Sequence, residues 1–173
     1  RVRFEFPTIE LGRRSLICAG TVPSPRRPRP ERTVLAANCE RLRRMITTFG
    51  RKSGSLDELA LALRIFREKR RVDALELIGC FGAGEGLTPA FDDYFCGMLL
   101  VDRWLGRRAI RTGKRFFTQL EKRTTRQSVW QVRFADKGRS ALAFEHLLVR
   151  MLTAPLSVHD ALPCLAIGHT SGC

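Results

Sequence analysis

The residues best equipped for chemistry lie in one stretch, GCFGAGEGLTPAFDDYFCG at 79–97. Gly82, Gly84 and Gly86 alternate, Thr88 and Pro89 follow, and Asp92 and Asp93 stand side by side. Alternating glycines let a backbone approach a ligand closely and turn its amides toward it. Thr88 is placed to cap a helix and Pro89 to occupy its first position. Two acids in the first turn then suit the positive end of the helix dipole. On that reading the stretch is a well-capped helix start. The same acids would repel a bare phosphate, but they can hold a hard cation that bridges to one. Mg²⁺ takes one or two protein carboxylates and fills its other positions with substrate oxygens and water. In a second chemistry, an acid accepts a hydrogen bond from an amide N–H of the substrate. The GxGxG spacing, with no clear strand ahead of it, does not fit a dinucleotide fingerprint, and the GK[ST] of a Walker loop is absent.

A second candidate cluster is GHTSG at 168–172. His169 can act as a general acid or hydrogen-bond a carbonyl oxygen near neutral pH; as a purely structural residue it would cap its own turn. Thr170, Ser171 and Gly172 add hydroxyl and amide donors. Ser171 is a poor nucleophile candidate, because HTSG is not GxSxG and no oriented base accompanies it. His146 and His159 fall on helical patterns without metal-ligand spacing. The six cysteines, at 18, 39, 80, 96, 164 and 173, include no CxxC pair. They read as reduced thiols, with Cys80 and Cys96 in the core beside the glycine stretch.

Three segments together resemble a known family. LIGCFGAGEGLTPAFDDYFCGMLL is similar to the AllH signature, usually GxGxGLTPSGDDFLxGLL. TTRQSVWQVRFADKGRSALAFEHLLVRML resembles the T-x-x-S helix and A-x-x-G turn that follow it, and LAIGHTSGC resembles a late GHTSG motif. The resemblance covers about 74–173. Gly82, Gly84, Gly86, Thr88, Pro89, Asp92 and Asp93 match the first motif, and Gly168 to Gly172 match the last. Ala90 and Phe91 depart from it, standing where the family usually has Ser and Gly. That puts a bulky ring at a position of free backbone and removes a hydroxyl. The resemblance implies a subunit of oxamate carbamoyltransferase, exchanging a carbamoyl group between oxalurate with phosphate and oxamate with carbamoyl phosphate in allantoin breakdown. It also implies a small anionic substrate and other carbamoyltransferase subunits as partners. Asp92, Asp93 and His169 would be the catalytic groups. Gly82, Gly84, Gly86, Thr88, Thr170, Ser171 and Gly172 would bind substrate or phosphate, with Asp92 and Asp93 as candidate Mg²⁺ ligands. The competing readings are a basic nucleic-acid-binding module and a non-catalytic, degenerate fragment of the family.

The elements that must position these residues are legible in outline. RVRFEFPTIEL and SLICAGTV read as strands with Gly12 between them, and PSPRRPRPERT at 23–33 as a loop. Leu35, Cys39, Leu42, Ile46 and Phe49 share one helical face over 35–49. SLDE at 55–58 has the form of a capping box, with Leu56, Leu59, Leu63 and Phe66 as the stripe behind it. The segment 92–106 is apolar on nearly every face and should be central. Further helices are predicted near 113–122, 126–137, 140–153 and 157–166. Ser140 and Ser157 are the expected N-caps, and Pro163 should end or kink the last helix. The fold class is therefore α+β: a short N-terminal β segment packed on a mainly helical body, divided into 1–34 and 35–173.

The chain has 173 residues and a formal charge of +14, enough length for one sizeable core. It opens on Arg1 and closes inside a turn-like motif, as a chain cut at its C-terminus would. Arg outnumbers Lys 26 to 5, a bias that a GC-rich coding sequence produces without selection for binding. Six basic residues and a Trp in DRWLGRRAIRTGKR are the best argument for RNA; one aromatic is too few, and nucleic acid is disfavoured. No run of 18 apolar residues occurs and no signal-peptide core opens the chain, so a cytoplasmic protein without membrane contact is expected.

Overall fold

The computed structural model describes residues 9–11, 14–16, 30–49, 64–65, 68–69, 71–84 and 87–165. Ile9–Leu11 (β1) and Arg14–Leu16 (β2) form an antiparallel hairpin in which Ile9 faces Leu16. Gly12, expected between the two strands, lies outside the described residues. Residues 23–29 of the proline-arginine loop and the capping box at 55–58 lie outside the described residues, and the last two residues of the expected loop, Arg32 and Thr33, are instead helical.

The body is mainly helical. Arg32–Phe49 is α1, Ala90–Trp104 α2, Lys114–Leu120 α3, Arg126–Asp136 α4, Leu142–Thr153 α5 and Val158–Leu165 α6. A two-residue strand, Val72–Asp73 (β3), pairs in parallel with Ile110–Arg111 (β4). Periodicity could not announce so short a pair. Parallel strands need a long crossover, and here it holds a 3-10 helix at Ala74–Cys80, the glycine turn and α2. The class is α+β, with helices dominant.

α2 is the central element, as its all-round apolarity predicts. It packs along α4, while α1 packs on α5, α5 on α6, and α3 on the 3-10 helix. Phe91, Phe95, Leu99, Leu100 and Trp104 of α2 are buried, together with Leu77, Phe116, Leu120 and Val132 from its neighbours. Each large apolar side chain so removed from water contributes about 1.5–3 kcal/mol. The Phe81 ring sits edge-on to Phe91, Phe95 and Phe116, with centroids 5.2, 4.9 and 5.6 Å away, the geometry that ring quadrupoles favour.

Several local expectations change. Among the α1 side chains described, 32–45, Asn38 is the buried one, while Cys39 is exposed. Asn38 Nδ2 donates to the carbonyls of Met151 and Ala154 at 3.1 and 2.7 Å, and its Oδ1 accepts from Leu156 N–H at 2.8 Å. It thus satisfies the backbone where α5 ends, a long-range task invisible to helical periodicity. Ser140 is not an N-cap, because α5 begins two residues later; its N–H donates instead to the buried Glu145, which also pairs with Arg139. Ser157 does cap α6. Its hydroxyl and amide both donate to Asp160, which holds the Asp160 carboxyl below the usual carboxylate range. Pro163 lies inside α6 without ending it before Leu165. Among the described residues, no helix is long and apolar enough to cross a membrane.

Candidate functional site

The glycine turn is built from the inside outward. Asp73 accepts from Leu75 N–H and starts the 3-10 helix that leads into it. Phe81 sinks into the aromatic cluster, and the chain then reverses through Gly82 at φ +84° and Gly84 at φ +110°. Both values lie where side chains are strained. Space is as restrictive as conformation. A Cβ on Gly82 would fall 2.4 Å from the Arg123 carbonyl oxygen, and one on Gly84 would fall 2.7 Å from the Ala90 nitrogen.

These two glycines therefore permit backbone to lie on backbone. Gly82 N–H donates to Asp92 Oδ1 at 3.0 Å, and Ala83 O accepts from Phe91 N–H at 3.3 Å. Of the glycine amides expected to face a ligand, that of Gly82 is committed within the protein. Gly86 lies outside the described residues, as does the whole 166–173 segment with His169, Thr170, Ser171 and Gly172.

α2 begins one residue later than the sequence suggests. Pro89 is the N-cap, and its carbonyl accepts from Asp92 N–H and Asp93 N–H at 2.9 and 3.2 Å. Thr88 does not receive a helix amide. Its hydroxyl donates to Asp93 Oδ2 at 3.1 Å.

The paired acids separate. Consecutive residues of an α-helix point about 100° apart, so neighbours cannot share a face. Asp92 is 0 % exposed. One of its oxygens takes the Gly82 amide and the other takes the Thr124 hydroxyl in a short hydrogen bond. Asp93 reaches solvent beside Thr88. Desolvation at its base pushes its carboxyl above the usual range; the Thr88 hydroxyl pulls it back and the nearby Asp92 charge adds to the rise. A cation or substrate approaching the turn from solvent would meet Asp93, with Asp92 underneath it. Among the described residues, no three His, Cys, Asp or Glu side chains gather to hold a metal.

Thr124 and Thr125 join the site without having been expected there, although Thr125 opens the T-x-x-S motif. Thr125 caps α4, accepting from Ser128 N–H at 3.1 Å, while its hydroxyl donates to Leu87 O at 2.6 Å. The T-x-x-S pattern is thus a helix cap that also grips the glycine turn. Its N-cap spacing ahead of an apolar stripe was the available signal. At the far ends of the two helices, Trp104 Nε1 donates to Gly138 O at 3.0 Å and Arg103 pairs with Asp136 at 2.7 Å. Start meets start and end meets end, so α2 and α4 run parallel. Their positive dipole ends converge beside Gly82 and Leu87, a place that favours negative charge. The A-x-x-G turn closes α4: Gly138, at φ +71°, donates to Ala135 O at 2.8 Å.

The departure at Phe91 falls differently from its sequence expectation. The Phe91 ring does not crowd the turn, for it is 0 % exposed and packed on Phe81. Cys96, one turn beyond the acids, has its thiol pushed far up by burial and then by the charges of Asp93 and Asp92. Cys80 is buried, and His146 and His159 are exposed on α5 and α6.

A family model described as oxamate carbamoyltransferase subunit AllH matches residues 80–173, more than half of the chain. That span takes in the glycine turn, the parallel pair α2 and α4, and the late GHTSG segment. No solved structure matches this chain.

Proposed function

The chain belongs to the oxamate carbamoyltransferase subunit AllH family, and from that membership we propose that it helps move a carbamoyl group between oxalurate with phosphate and oxamate with carbamoyl phosphate. Other subunits of the enzyme are its partners, and residues 35–173 form the working domain. The supporting observation is the parallel pairing of α2 and α4, which brings two helix N-termini together under the turn that carries Thr88 and Asp93.

The substrates are anions with amide nitrogens, and the two halves of the site answer those two features. The converging helix ends favour the carboxylate or phosphate oxygens, each dipole contributing about 0.3–1 kcal/mol. Asp93 accepts from carbamoyl or amide N–H, and Thr88 holds its carboxylate in place. Gly86 lets the substrate approach the backbone, while Gly84, closed against Ala90, helps shape the turn. Gly82 and Asp92 give the turn its shape. His169, Thr170, Ser171 and Gly172 complete the proposed set, His169 as proton donor and the others as hydrogen-bond donors.

In the direction of oxalurate cleavage, a phosphate oxygen attacks the carbamoyl carbon. The C–N bond to the oxamate nitrogen breaks, and that nitrogen takes up the proton that phosphate loses. Asp93, with its raised carboxyl pKa, and His169 are the groups suited to relay that proton. A Mg²⁺ ion, if used, would be held by Asp93 and substrate oxygens and would offset the phosphate charge.

Thermal shift with carbamoyl phosphate and with oxamate tests this reading without needing the partner subunits. The wild-type chain should be stabilised by one of them, and Asp93→Ala should lose that stabilisation while its ligand-free melt stays nearly unchanged. Equal shifts in both proteins would remove Asp93 from the site.

A further inference from the structure

A concave surface lies between α3 and α4, with none of its lining residues in the glycine turn. It encloses about 780 Å³ and is walled by Phe117, Trp130 and Phe134, with Arg126, Arg133 and Lys137 around them. Trp130 is 48 % exposed, a large cost for the biggest apolar side chain unless something covers it. The two acids on the wall are already engaged. Glu121 pairs with Arg133 at 2.7 Å, and Asp136 accepts from Arg103 and from Thr112 at 2.7 and 2.6 Å. The groove thus carries three cations against two engaged acids around its apolar side chains.

Its surroundings reinforce the sign. Residues 107–139 carry eleven Lys and Arg against two acids, net +9 of the chain's +14. The first 70 residues carry a comparable excess, 17 basic against 7 acidic, so the stretch around the groove is one of two basic parts of the chain. Trp and Arg around a central pocket are also the residue types that dominate protein–protein hot spots.

We propose that this groove seats an acidic segment of a partner protein subunit, with one apolar side chain of that segment inserted against Trp130 and acidic neighbours along the Arg126–Lys137 rim. Charge complementarity identifies the occupant, and membership in a family of enzyme subunits supplies the need for one. Single-stranded nucleic acid fits less well, because it wants a succession of open stacking faces. Here the Phe117 face is covered by the Arg133 guanidinium at 4.7 Å, and Trp130 lies tilted over Phe134 with centroids 6.1 Å apart.

The test uses a labelled synthetic peptide of glutamates around a central phenylalanine. The same peptide with central alanine and a single-stranded oligouridine serve as contrasts, read by anisotropy and tryptophan emission. The phenylalanine peptide should bind, and bind more weakly as salt rises. Its affinity should fall about tenfold with Arg126→Glu/Lys137→Glu and about as much with Trp130→Ser. Arg32→Glu/Arg41→Glu, the same charge change on α1, should leave it unaltered. Equal loss in the α1 variant would mean general attraction to a basic chain and overturn the proposal. So would indifference to the central residue, or binding of the oligouridine in preference to both peptides. Melting curves of each variant separate lost binding from lost fold, and the exposed Trp130 change stands in if the double reversal unfolds.

Discussion

The hydroxyl of Thr124 donates to the buried carboxylate of Asp92, and through this one hydrogen bond the start of α4 is tied to the start of α2. The other oxygen of the same carboxylate holds the Gly82 amide. A single acid thus fixes three segments, the glycine turn and two helix N-termini, in the arrangement on which the proposed site depends. A carboxylate with two donors and no exposure resists substitution, because removing it empties a buried site and leaves the Gly82 amide and the half-buried Thr124 hydroxyl without their partner.

Asp92→Ala should therefore destabilise the chain by about 2–4 kcal/mol, visible as a lower midpoint in urea. Asp93→Asn should change the midpoint by under about 1 kcal/mol. If the two substitutions cost the same, the division of labour between the neighbours is wrong.

The raised carboxyl pKa of Asp93 sets a sign for pH dependence. A carboxyl whose folded pKa exceeds its unfolded one favours folding while protonated, and that contribution disappears as pH rises through the folded pKa. Stability of Asp93→Asn relative to wild type should therefore increase on going from below the ordinary carboxylate pKa to above the raised one, and stay level at higher pH. A relative stability that falls across that window would contradict the assigned direction. Parallel melts of the two proteins at a series of acidic to neutral pH values read it directly.

Glycines in this part of the chain should divide cleanly. Gly84→Ala meets both a positive φ and the Ala90 backbone, and should cost about 1–3 kcal/mol. Gly97→Ala lies within α2 with open space around its Cβ, and should stabilise by about 0.5–1 kcal/mol. Chemical denaturation of the two single variants compares them.

Asn38→Ala removes an amide that serves two carbonyls and one N–H at the end of α5. A loss of about 2–3 kcal/mol is expected, with hydrogen exchange rising first near Leu156. Asn38→Leu, which fits the apolar expectation for that helix, should not rescue it.

Thiol labelling of the native protein should distinguish two cysteines of known environment. Cys39 is exposed and should react readily, while Cys96 has its thiol pushed up by burial and nearby acids and should react only after unfolding. Rapid native labelling of Cys96 would mean that the first turns of α2 open.

The helices from residue 90 onward were readable because their apolar positions repeat with helical spacing and their ends carry Thr125, Ser157 or a closing Gly138. The short β3–β4 pair was not, since two residues establish no period and only the α2 crossover brings them together. Asn38 and Glu145 were missed for a related reason: a buried polar residue is justified by partners distant in the chain or, for Glu145, by a cap reaching backward from inside a helix. Phe91, read as an intrusion into the turn, proved to be a core ring because the first turn of α2 rotates it toward Phe81.

By itself the sequence determined the family, the helical body, the reversal at Gly82 and Gly84, and the presence of two acids at a helix start, because these are properties of local spacing and composition. Only tertiary structure decided which acid faces solvent, that Thr124 and Thr125 belong with the turn, and that α2 and α4 run parallel. Those outcomes depend on how one helix is rotated about its axis and which end of another lies beside it, and rotation and direction are set by core packing across some thirty residues of intervening chain, about the separation of Asp92 from Thr124.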